Sequence, residues 1–170
     1  METFNLEPLL SDTSISVALY ENVTNASKLK TLIKDGEIHA ALIKAEMVLD
    51  VFQVLVASSK AFYAKTQNKL KTKLIYTEIL FNLSPSNKIS ECFKLFGVED
   101  EATCVLVVAR KEDFSEVDKH VEGDICPLSK LDNLCDKQYL KKLYKVTDEE
   151  LKVCSLTDCV VSQMAAKEIR

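Results

Sequence analysis

The side chains of this sequence that could do chemistry are two histidines, six cysteines and a few adjacent acids. His39 and His120 lie far apart in the chain. Either could serve as a general base, but neither has a nucleophile at a readable spacing, and a histidine without one is a structural residue first. Cys92, Cys104, Cys126, Cys135, Cys154 and Cys159 form no C-x-x-C pair and have no histidine at zinc-ligand spacing. They are expected to be reduced, mostly buried thiols that pack as small hydrophobes. The acid pairs Glu112-Asp113 and Glu149-Glu150 would point to different sides of a helix and belong to solvated surface. There is no G-x-S-x-G elbow, phosphate-cradling G-x-x-x-x-G-K or H-E-x-x-H. An enzyme reading rests only on His120 with the nearby Asp118 and on the thiols. The expectation is a protein without catalytic residues, metal or cofactor of its own.

Charge offers more. Between Val51 and Thr77 stand five lysines, Lys60, Lys65, Lys69, Lys71 and Lys73, and no acid. Subtracting this +5 from the net charge of −4 leaves −9 for the rest of the chain. A basic stripe on an acidic body has two readings: the lysines solvate the end of a hydrophobic helix, or they follow a phosphate backbone. Tyr63 and Tyr76 lie near enough to stack on unpaired bases, although aromatics at this spacing also build cores. Just beyond, Asn82, Ser84, Ser86 and Asn87 feed the start of a short helix. Such a turn suits an anion and equally suits ordinary capping.

The elements that must position these residues follow from periodicity. With 170 residues, 47% of them hydrophobic and 28% charged, the chain is expected to be one domain over 1–170 with a core of its own. Three glycines and three prolines leave little turn chemistry for an all-β fold, so helices should dominate. Ser14 to Tyr20 alternates as a strand. Asn25 to Asp35 carries Ala26, Leu29, Leu32 and Ile33 at helical spacing and stops at Gly36. Asp50 caps a long helix, apolar on nearly every side, that is expected to be the buried centre. Leu74 to Leu83 fits helix better than strand. Ser86 or Asn87 caps a helix with Ile89, Cys92, Phe93 and Phe96 on one face, ending at Gly97. The apolar run from Thr103 to Ala109 is a strand buried on both faces. Val121 to Leu128 reads as a third strand and Lys137 to Tyr144 as a short basic helix. Thr147-x-x-Glu150 is a capping box opening a last helix with Val153, Leu156, Val160 and Met164 in a stripe. The fold class is α/β in the α+β sense: helix-rich, with a small mixed sheet and a central buried helix. Met1 to Leu10 carries Glu2 and Glu7 and no basic region before an apolar run, so no secretory signal is read there. No run reaches the roughly 18 apolar residues of a membrane span, and a soluble intracellular protein is expected. On that expectation the sequon Asn22-Val23-Thr24 is a chance match.

The stretch from Thr77 to Gly97, T-E-I-L-F-N-L-S-P-S-N-K-I-S-E-C-F-K-L-F-G, resembles the signature of the TPRKB family, kinase-associated subunits of the EKC/KEOPS complex. Asn25-Ala26, Val51-Phe52-Gln53 with Ala57 and Lys60-Ala61, and Lys71-Thr72-Lys73 precede it in the family's order. The resemblance spans nearly the whole chain, weakening after Ala109 and returning at the Met164 helix. It implies a mixed α/β domain without an active site that binds a PRPK-type atypical kinase, itself docked on an OSGEP-type catalytic subunit. The complex makes threonylcarbamoyladenosine on tRNA, and this subunit helps recruit tRNA by its single-stranded 3′ end. On that reading Lys60, Lys65, Lys69, Lys71 and Lys73 meet phosphates, with Ser84 and Asn87 near the terminal nucleotide. Val160 and Met164 are candidates for kinase contact, core packing being the other role open to both. Cytoplasm and nucleus are the implied locations. The rival is a protein adaptor that binds the kinase and never touches RNA.

Overall fold

Six consecutive buried residues, Ile15 to Tyr20, set the architecture. The computed structural model describes residues 1–6, 10 and 12–167; Glu7, part of the expected charged N-terminus, lies outside them. Strand β2 (Ser14–Glu21) pairs with β4 (Val105–Arg110), in which Val105 to Ala109 are also all buried. A strand sends alternate side chains to opposite faces, so a pair with no exposed face needs cover on both. One face gathers Ile15, Val17, Leu19, Ile43, Leu106 and Val108. The other gathers Ala18, Tyr20, Leu42, Val105, Val107 and Ala109.

The sheet runs β1-β2-β4-β3, with β1 at Glu2–Asn5 and β3 at Ala41–Lys44. Short β5 (Asp124–Cys126) also pairs with β2. Every pairing is antiparallel rather than mixed. The expected third strand shrinks to β5 because only Cys126 and Leu128 of 121–128 reach the core. The short strands β1 and β3 give no clear period in the sequence and are recognisable only by their partners.

Helices cover both faces. Helix α1 (Ala26–Asp35) and α5 (Lys111–His120) lie on the second face, through Ala26, Leu29, Phe114 and Val117. The first face carries α2 (Val51–Thr66), α3 (Ile75–Leu83), α4 (Ile89–Phe96), the short α6 (Leu131–Leu134) and α7 (Lys137–Leu143), and α8 (Leu156–Ala166). Among the described residues no helix is long and apolar enough to cross a membrane. The free thiols divide: Cys92, Cys126 and Cys159 are buried, Cys104 and Cys135 half-buried, and Cys154 exposed.

Helix ends follow local chemistry. Asp50 Oδ1 accepts the Phe52 amide at 2.7 Å, and Gly36 takes φ +78° after α1. Gly97 ends α4 differently: a Cβ there would lie 2.6 Å from the Phe93 carbonyl oxygen. Thr147 and Glu150 do form a capping box, but it closes a single 3₁₀ turn at Glu150–Lys152. The last helix starts later, on a second box made by Ser155 and Asp158, which leaves Val153 82% exposed rather than in the stripe. Helix α2 is a wall rather than a fully enclosed centre, since Phe52 and Tyr63 are half exposed on its outer side.

A buried polar tie joins the layer's helices. Gln53 Oε1 accepts the Leu49 amide at 3.0 Å, and its Nε2 donates to the Tyr144 hydroxyl at 3.3 Å. That hydroxyl donates in turn to the Leu83 carbonyl, while Asn82 Nδ2 donates to the Ala57 carbonyl at 3.1 Å. Removing one hydroxyl therefore strands two buried groups. Tyr144→Phe is expected to cost about 1–3 kcal/mol, read as a lower denaturant midpoint and a Tm drop of about 2–4 °C for each kcal/mol. An unchanged midpoint would show that the tie contributes nothing net.

Candidate functional site

Helix α2 ends at Thr66, and Asn68 turns the chain at φ +52°. The amides of Asn68 and Lys69 donate back to the carbonyls of Lys65 and Ala64 at 3.1 and 2.9 Å. From here the side chains alternate: Lys69, Lys71 and Lys73 are exposed, while Leu70 and Thr72 are half-buried. The inward side meets Glu78 in the first half of α3. This residue is 2% exposed, and its carboxylate accepts the Lys71 amide at 3.1 Å, the Thr72 amide at 2.7 Å and the Thr72 hydroxyl at 2.7 Å. Thr77 Oγ1 adds a bond to the Leu74 carbonyl at 2.7 Å. The lysine segment is thus fastened to α2 at one end and α3 at the other.

Beside it opens a cleft of about 1130 Å³. Ile33 of α1, Leu74, Leu80 and, from the edge strand β3, Ala41 and Leu42 line it. Lys30, Lys34, Lys65, Lys73, Lys94 and Arg110 line it against Glu99, Asp100 and Asp113, a balance of +3 with His39 neutral. Lys30 is held by Asp100 at 2.6 Å, and Arg110 by Asp113 at 2.9 Å. Lys34, Lys65, Lys73 and Lys94 carry no ion pair among the described residues. An apolar lining that carries net positive charge suits an amphipathic anion, such as a nucleotide.

One end of the cleft is fixed by Tyr76, whose hydroxyl donates to Asp113 at 3.1 Å and accepts the Arg110 amide at 3.3 Å. Burial pushes its phenol up to about 12, Asp113 adding to the rise while the Arg110 amide opposes it. Tyr76 is only 7% exposed and so offers no stacking face, whereas Tyr63 is open.

The five lysines of the sequence stripe do not stay together. Lys60 Nζ reaches the Met164 carbonyl on α8 at 3.0 Å, away from the Lys69–Lys73 row. Lys65 and Lys73 line the cleft; Lys69 and Lys71 stand outside it. Ser84 is fully buried, and its hydroxyl accepts the Ser86 amide at 3.1 Å, so it is not presented to a nucleotide. Asn87 is exposed at the start of α4, beyond the opposite end of α3. Ser86 rather than Asn87 supports that start, accepting the Lys88 amide at 3.2 Å. Val160 and Met164 are both 0% exposed inside the core, which is packing, the other role open to them, and leaves neither a surface for a partner. Glu78 and the distant cleft residues Lys30, Lys34, Lys94 and Arg110 do not stand out in the sequence. Glu78 could have been found as the first acid after the lysine run; the others have no local signal. Among the described residues no group of three or more His, Cys, Asp or Glu is placed to hold a metal.

Comparison with known proteins gives consistent results. A family model described as kinase binding protein CGI-121 matches residues 20–168. The chain is 40% identical over 166 residues to the EKC/KEOPS complex subunit TPRKB of Danio rerio, covering 95% of each. It is 32% identical over 154 residues to the EKC/KEOPS complex subunit cgi121 of Schizosaccharomyces pombe, covering 85% of this chain and 88% of that one. Identity is also 32%, over 157 residues, to the EKC/KEOPS complex subunit CGI121 of Coccidioides immitis, with 85% and 76% covered.

The Tyr76 phenol makes the cleft's support sensitive to alkali. The folded state holds the proton to about 12, whereas an unfolded tyrosine releases it near pH 10. The raised value stabilises the fold fully below about pH 10, and that share is lost as pH rises towards 12. Burial also raises Tyr20, beside Asp118, and Tyr144. Denaturant midpoints should fall between about pH 10 and 12, and Tyr76→Phe should show a smaller fall; an equal fall would mean that Tyr76 has no part in it.

Proposed function

The chain belongs to the kinase binding protein CGI-121 family, and from that premise we propose that it is a non-catalytic EKC/KEOPS subunit that binds a PRPK-type kinase and helps recruit tRNA by its 3′ end. The observation that carries membership of the complex is the 40% identity, along 95% of both chains, to a protein named as an EKC/KEOPS complex subunit. The kinase in turn docks on an OSGEP-type subunit that performs the threonylcarbamoyladenosine chemistry, in cytoplasm and nucleus. Support for the tRNA half comes from the exposed lysines of the α2–α3 segment and the +3 cleft beside them, on a chain whose net charge is −4. Lys65, Lys69, Lys71 and Lys73 meet phosphates, since single-stranded ends are held by backbone charge and apolar contact rather than by groove reading. Asn87 contributes only if the strand extends past α3. Lys60 and Ser84, engaged inside the protein, leave this set, and Val160 and Met164 support α8 from within rather than meeting the kinase.

A second reading, a kinase adaptor that never touches RNA, is favoured by the overall acidity. The two separate in one experiment: co-purification with the PRPK-type kinase, then titration of tRNA with and without its 3′ tail. A stable equimolar complex whose affinity depends on the tail is expected. Lys69→Glu with Lys71→Glu should flatten the salt dependence of binding by about one unit of slope for each phosphate that is no longer neutralised. A stable complex indifferent to the tail and to both substitutions leaves the adaptor.

A further inference from the structure

Glu78 is a buried carboxylate with no cation on it among the described residues. The groups that it accepts from, the amides of Lys71 and Thr72 and the Thr72 hydroxyl, all belong to the lysine segment. Thr72 Oγ1 also lies 3.0 Å from the Leu74 carbonyl oxygen and 3.0 Å from Thr77 Oγ1, so with its single proton on Glu78 the hydroxyl is confined where the carboxylate needs it. Charge-assisted bonds to backbone N–H groups are among the stronger hydrogen bonds of proteins, and their direction here matters. They draw Thr72 inward and thereby turn Lys71, and Lys69 and Lys73 on either side, out to solvent. The Cα atoms of residues two apart can lie no more than about 7 Å from each other, so the lysine stems leave the main chain at intervals comparable to those between successive phosphates of a single strand.

We propose that Glu78 is the positioning residue of an interaction surface, holding Lys69, Lys71 and Lys73 in a fixed row that takes successive phosphates of single-stranded RNA. The inference rests on the tRNA-recruiting reading and adds the residue that orders the surface. A mobile loop would have to be ordered on binding, at a cost in affinity; the carboxylate removes most of that cost beforehand. It also makes a prediction opposite in sign to simple electrostatics. Glu78 is a negative charge among lysines, so neutralising it should by charge alone strengthen the binding of an anion.

The test uses the full chain and a short fluorescein-labelled RNA ending in the tRNA 3′ tail. Glu78→Gln is expected to weaken binding about tenfold although it makes the protein more positive, and to speed hydrogen exchange at the Lys71 and Thr72 amides. Thr72→Val keeps the carboxylate and its charge, and should change both readouts in the same direction by less; it carries the test if Glu78→Gln does not fold. Glu78→Gln that binds as tightly as wild type or tighter, or amide exchange that does not change, overturns the proposal. Lys69→Glu with Lys71→Glu separates the two levels. If that pair has no effect, tRNA recruitment by this segment fails with everything built on it; if it abolishes binding while Glu78→Gln strengthens it, only the positioning role falls.

Discussion

The central strands β2 and β4 have no solvent face, and most of the molecule follows from that. Ile15 to Tyr20 and Val105 to Ala109 are buried without exception, so each face of their pairing must be covered by apolar surface. Burying a large aliphatic side chain stabilises a fold by roughly 1.5–3 kcal/mol, and two such faces draw helices to both sides. The layers are unequal: α1 and α5 suffice for one, while the other needs the α2–α3–α4 group with α6, α7 and α8. Where both layers overhang β3, the edge strand, they leave the cleft.

The thicker layer cannot be closed by apolar contact alone. The approach to α2, its middle and the end of α3 bring main-chain groups into the interior, and buried backbone polar groups are costly without partners. Gln53, Tyr144 and Asn82 supply the partners for Leu49, Leu83 and Ala57. These polar residues are what lets helices from distant parts of the chain meet in one arrangement. Lys167 adds a cation over the Phe81 ring, 3.3 Å from its centroid, at the end of α8.

Much of this frame is legible in the sequence because its signals are local. The unbroken apolar run of β4, the capping Asp50, Gly36 after α1 and the spacing of Cys92 and Phe96 each point to an element over a few residues. What escapes is set by distant partners. Helix α5 has only Phe114 and Val117 as core anchors, a stripe too narrow to stand out among its charges, and β3 is a strand only because β4 lies beside it. Two successive capping boxes near the C-terminus look alike in sequence, and tertiary packing decides which opens the long helix. The candidate site divides likewise. Its positive charge is plain from composition, but the chain cannot say that Lys60 turns to α8 while Lys34 and Lys94 arrive from other segments, nor that Ser84 faces inward.

The grip of Glu78 falls mainly on peptide amides, and this divides the inheritance of the lysine segment. Its path is written in an acid, a threonine and the main chain; its charge is written in side chains that point the other way. Substitution at 69, 71 or 73 can change the strength of attraction without redrawing the loop. Charge can be adjusted there in small independent steps, whereas replacing the acid or the threonine removes hydrogen bonds on which the path of the segment depends.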